Sequence, residues 1–225
     1  MKYPASQWLP FYLPLALIWG CSFLFIKVGL ESFTPIGVVF GRVLLGALTL
    51  IVITVVSRSS LPPRWSWKYL FVASLLWVCV PWTLFAFAQT QVSSALAGII
   101  NALTPLMTLL AILLAFRTEK PTRGRIGGLI LGFIGMLVVV GFWQPLALDN
   151  LWAIGAMVLA VSCYGVAFPF ARRFLTGPQA QAPIPAVSLA TGLMLWGLVI
   201  VGPLALVTGI GSAPISGASL AAIAG

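Results

Sequence analysis

The chain has 225 residues, 61% of them hydrophobic and 7% charged, with a mean hydropathy of +1.12. Soluble domains carry roughly 25% charged residues, and a fold of this size has no interior large enough to hide so much apolar surface, so the solvent is lipid. The net charge of +9 would suggest nucleic acid in a soluble protein. Here the cations sit in short segments between apolar runs, which reads as a membrane-orientation signal and gives no reason to expect a nucleic-acid partner.

Only Lys2 precedes the first long apolar run, and no small-residue cleavage signal follows soon after. That run is expected to be a retained helix, not a signal peptide. It ends at a short break, Glu31-Ser32-Phe33-Thr34-Pro35, after which a second run starts. Tyr69 to Phe116 holds 48 residues without a charge. As one helix it would be about 72 Å long, over twice the ~30 Å hydrocarbon core, so it must turn back. The cluster Gln89-Thr90-Gln91-Val92-Ser93-Ser94 is the plausible turn. Phe174 to Gly225 is charge-free for 52 residues, broken at Gly177-Pro178-Gln179 and between Gly209 and Gly217.

The expected spans are 9–30, 34–57, 69–88, 93–116, 125–143, 151–171 and 185–208, with an eighth starting near Ser219. They must be helices, because lipid offers no water to satisfy an open backbone. The chain stops about one turn into the eighth, whereas a spanning helix needs about 20 residues. The sequence therefore looks truncated, or its last segment does not span.

With the N-terminus in the cytoplasm, the inner segments carry Lys2, Arg58, Arg64, Lys68, Arg117, Lys120, Arg123, Arg125, Arg172 and Arg173, ten of the 12 cations. The positive-inside rule favours this orientation, and the expected location is the cell inner membrane. Trp8, Trp65, Trp67, Trp143 and Trp152 fall at span ends and read as interfacial anchors.

The pattern Trp19-Gly20-x-x-Phe23-x-Phe25-x-Lys27 recurs 145 residues later as Tyr164-Gly165-x-x-Phe168-x-Phe170-x-Arg172. Five helices separate the copies, and an odd number reverses direction. The halves therefore read as inverted-topology repeats, a common transporter design: 1–145 a first five-helix repeat, 146–225 a partial second one.

Trp19-Gly20-Cys21-Ser22-Phe23, Lys27, Pro35 and Arg42 resemble the first two helices of EamA-type members of the drug/metabolite transporter superfamily. Ser94-Ala95-Leu96-Ala97-Gly98 through Asn101, Thr104-Pro105 and Glu119 resembles that family's fourth helix and the loop after it. Gly127-Gly128 through Gly135 to Gly141 is similar to its fifth. The resemblance implies ten helices in two inverted repeats and the export of metabolites or amino acids. This chain holds seven helices and the start of an eighth.

Arg42 lies seven residues past Pro35, roughly 10 Å below the outer boundary. A central arginine costs about 2.5–3.5 kcal/mol on insertion scales. Two readings are open: snorkelling to the outer headgroups, or attracting an anion in an outward cavity. Lys27 has the same alternatives, plus pairing with Glu31. Asn101 could bond a polar ligand or a neighbouring helix. Trp19, Phe23, Trp77 and Tyr164 could stack on a substrate or simply pack. These seven are the candidate substrate-binding residues. Pro81, Pro105, Pro169 and Pro203 interrupt apolar spans, which membranes tolerate where the backbone lines protein or a cavity. Gly124-x-x-x-Gly128-x-x-x-Gly132 is a ridge for close helix approach, within the subunit or in a weak homodimer.

The chain has no histidine, and its only acids are Glu31, Glu119 and Asp149. Cys21, Cys79 and Cys163 lie singly in apolar runs. No disulfide framework, metal site or cofactor is indicated. An intramembrane protease needs acids or a histidine base, and no GxxxxGK[ST] phosphate loop is present. The function expected is therefore non-enzymatic: a carrier of anionic or zwitterionic metabolites working by alternating access. The competing reading is a membrane scaffold or an inactive transporter fragment. With no acid in the first span, transport is expected to run down the substrate gradient.

Overall fold

The computed structural model describes residues 5–116, 122–140 and 151–224. Lys2, Arg117, Glu119, Lys120, Trp143 and Asp149 lie outside the described residues, as do the side chains of Trp8, Arg123 and Arg125. The helices are α1 (Ala5–Gly29), α2 (Pro35–Val56), α3 (Arg64–Ala88), α4 (Ser94–Ala115), α5 (Arg123–Val140), α6 (Leu151–Thr176), α7 (Ala186–Thr208) and α8 (Gly217–Ala224). Six of them, all but α5 and α8, are long and apolar enough to cross a bilayer. The protein is an all-α polytopic membrane fold, and among the described residues the only β pairing is an isolated bridge between Phe33 and Gly211.

Every expected span contains a helix, but α1 starts four residues early, at Ala5, and two further boundaries move. Helix α3 starts at Arg64 and α6 continues to Thr176, because long basic side chains near a helix end reach the headgroups without breaking the helix. Ending a span at the first charge cut both short. The glycine ridge does not pack inside the described structure: nothing comes within 4 Å of a Cβ placed at Gly124, Gly128 or Gly132. Helix α5 is peripheral, with Ile130, Leu131 and Val138 exposed.

The break between α1 and α2 is built around Thr34. Its extended backbone and side-chain oxygen cap α2, accepting the Gly37 N–H at 3.0 Å, and Pro35 supplies a preset φ at the first helical position. The same hydroxyl donates to the Gly209 carbonyl at 2.9 Å. The Thr34 N–H donates to Ile210 O and the Ser212 N–H to Ser32 O, each at 3.0 Å. The Ser219 hydroxyl donates to Val28 O at 3.0 Å. The α1–α2 turn is thus clasped to the α7–α8 turn. The fit is tight at Gly37, where a Cβ would meet Ile210 O at 2.1 Å.

Helix α7 packs along α2, with Gly197 against Val43, and bonds to α3 and α2 through buried polar groups. Ser74 donates to Leu193 O at 2.8 Å, and Thr54 and Thr191 share a hydroxyl bond at 3.1 Å. Such bonds contribute about 0.6 kcal/mol each in membranes, so shape complementarity carries most of the contact. Trp65 packs edge-on to Tyr69 and Trp67 edge-on to Trp196, while Trp152 is exposed.

Candidate functional site

Three helices change geometry next to a proline, and each change falls beside a cavity. In α3, Pro81 has no N–H for the carbonyl of Trp77, four residues earlier. The helix widens into a π turn over Leu75–Cys79, with the Val80 N–H reaching back to Leu75 O. A π turn acts as a one-residue insertion. Trp77 and Trp82, five apart and divergent on a regular helix, thereby line one cavity. In α4, Pro105 leaves the Asn101 carbonyl without its helical donor. The Thr104 hydroxyl takes that place at 2.7 Å, and the helix breaks into Ser94–Asn101 and Thr104–Ala111. In α6, Pro169 is buried and followed by a π turn over Arg172–Thr176.

The cavity occupies about 280 Å³ between α1, α2, α3, α4, α6 and α7, near the lower end of the range for small-ligand pockets, roughly 300–1,000 Å³. It brings together six of the seven residues singled out from sequence: Trp19, Phe23, Arg42, Trp77, Asn101 and Tyr164. The walls are mainly apolar, with aromatic rings from α1, α3 and α6 among them. Phe23 packs on Phe85 at 5.1 Å, and Phe85 stacks on Tyr164 at 6.3 Å. Trp19, 56% exposed, sits at the rim. Tyr164 is positioned by its neighbour: a Cβ on Gly165 would meet the Met107 backbone at 2.6 Å, so α6 and α4 touch at this level.

Arg42 is the charge in this cavity. Its Nη2 donates to the Ser22 hydroxyl at 2.9 Å, and the guanidinium lies 5.5 Å from the centre of the Trp82 ring. Cation–π contact and one hydrogen bond hold the group in place. Its Nη1 is buried and has no hydrogen-bond partner among the described residues. Snorkelling is therefore not what this side chain does.

The seventh residue, Lys27, is not in the cavity. Its Nζ donates to the carbonyls of Gln89 at 2.6 Å and Val92 at 3.2 Å. The end of α3 leaves carbonyls without helical donors and carries the negative end of the helix dipole, so the ammonium caps α3 instead of pairing with Glu31. Sequence reasoning missed Ser22, Trp82 and the α7 wall of Leu193 and Met194. Only Trp82 had a local signal, the proline before it.

The EamA-like transporter family matches residues 7–141 of the chain. The chain belongs to that family. It is 26% identical to Protein PagO of Salmonella typhimurium over 165 residues, 72% of this chain and 54% of the relative. It is also 22% identical to an uncharacterized transporter of Archaeoglobus fulgidus over 174 residues, 76% of this chain and 59% of that one. The chain thus spans little more than half the length of these curated relatives. The family match covers α1 to α5, which contribute most of the cavity wall, Arg42 included.

Proposed function

We propose that this EamA-family protein exports small metabolites bearing a carboxylate or another anionic group, amino acids among them, by alternating access. The observation that carries the reading is Arg42. A buried guanidinium nitrogen without a partner costs free energy, and an anion bound in a mainly apolar cavity of small-metabolite size removes that cost. The inward count of ten cations supports an N-terminus in the cytoplasm and placement in the cell inner membrane. The matching patterns of α1 and α6 support two repeats of inverted topology, divided near residue 145, in a monomer or weak homodimer. No acidic residue is among the described residues that line the cavity, which favours transport down the substrate gradient over proton coupling.

The test is counterflow in proteoliposomes with a carboxylate substrate and its neutral amide analogue. In Arg42→Gln, KM for the carboxylate should rise about tenfold or more, the factor corresponding to ~1.4 kcal/mol, and KM for the amide should barely change. Equal losses would make Arg42 structural. A protonophore should leave counterflow intact. A collapse that Glu31→Gln abolishes would replace the gradient-driven reading with proton coupling.

A further inference from the structure

A second cavity, of about 510 Å³, lies between α3, α4, α6, α7 and the turn after α6. Its lining includes Thr108, Arg172, Arg173 and Gln179, with no acidic residue among the described residues that line it. The π turn Arg172–Thr176 is closed by the Gly177 N–H donating to Arg172 O at 2.7 Å, and the Arg173 guanidinium lies 5.5 Å from the Phe174 ring centre. One residue belongs to both cavities: Trp77. Its indole packs edge-on against Phe168 at 4.7 Å. Trp77 stands on the π turn that Pro81 imposes on α3, where backbone bonding is already irregular.

We propose that the Arg172 cavity is a loading site for the carboxylate-bearing substrate, and that Trp77 against Phe168 is the partition separating it from the Arg42 cavity. The proposal rests on the transport reading and adds a second binding site and a named barrier. Two cationic sites lie in series along one path. The first concentrates the anion by focusing the field of two arginines between apolar walls. The second holds it once the indole has moved. A substrate carboxylate and an anionic lipid headgroup share the chemistry the first site recognises, and the test separates them.

The experiment needs no identified substrate. In a background with Cys21→Ser, Cys79→Ala and Cys163→Ala, Thr108→Cys reports the Arg172 cavity and Ser22→Cys the Arg42 cavity. The probes are an anionic and a cationic methanethiosulfonate, sulfonatoethyl and trimethylammonioethyl, applied to phosphatidylcholine vesicles from the Arg172 side. Thr108→Cys should react about tenfold faster with the anionic reagent, within the range expected for a focused field. Arg172→Gln with Arg173→Gln should erase that preference. Ser22→Cys should react slowly from this side until Trp77→Ala or, independently, Phe168→Ala opens the path and raises the rate about tenfold. Loss of charge preference at Thr108→Cys in the parent, or fast labelling of Ser22→Cys with both aromatic residues intact, overturns the proposal. If added phosphatidylglycerol blocks Thr108→Cys as strongly as a soluble carboxylate fails to, the site is a lipid site and the loading role falls. Because labelling does not require turnover, this proposal can fail while transport stands, and a failure of counterflow is read separately from a failure of labelling.

Discussion

The two copies of one sequence pattern have different fates. In α1, Gly20 has nothing within 4 Å of its would-be Cβ, Trp19 sits at the cavity rim, and Lys27 caps the end of α3. In α6, Gly165 lies against the Met107 backbone, Tyr164 closes the interior of the cavity, and Arg172 opens a π turn beside the second cavity. The shared pattern does not by itself fix what each position does. What each does depends on the helix it meets: α6 runs through the middle of the described bundle and α1 along its edge. The neighbours decide which positions become cavity lining and which become a cap.

The largest expected effect that separates the copies is at the glycines. Gly165→Ala places a methyl against backbone that cannot swing aside and should cost about 3 kcal/mol, at the upper end of overpacking. Gly20→Ala should stay within ~0.5 kcal/mol, as at other unconstrained surface positions. Unfolding in detergent, followed by tryptophan fluorescence, measures both, and equal shifts would erase the distinction between edge and centre.

A smaller effect is expected at Lys27. Lys27→Met removes two charge-assisted bonds to carbonyls and should cost about 1.5–2 kcal/mol. The carboxylate KM should change by less than about twofold in the remaining folded protein, as a cap requires. A rise in KM comparable to that of Arg42→Gln would return Lys27 to the binding site.

The smallest difference is between the two leading aromatics. Tyr164→Phe deletes a hydroxyl from the cavity wall and should raise the carboxylate KM about fivefold, the worth of one hydrogen bond of ~1 kcal/mol. Trp19→Phe, at the exposed rim, should change it by less than about twofold. The opposite order would show that substrate rests at the rim and not beside α6.

Composition and charge spacing determined the membrane class and where each described helix lies, because lipid permits only backbones that satisfy themselves. Pro35 after Thr34 marked the start of α2, since capping and the fixed proline φ are local properties. Arg42 stood out for the same kind of reason, a charge where insertion is expensive. The tertiary structure decided everything that needs two distant segments. It placed Ser22 and Trp82 on the Arg42 guanidinium, took Lys27 away to the end of α3, and clasped the α1–α2 turn to residues 209–216. It also converted Pro81 from a break into a π turn that aligns Trp77 with Trp82. A proline states locally that a hydrogen bond is missing; whether the helix kinks, splits or widens depends on which neighbours pack around it.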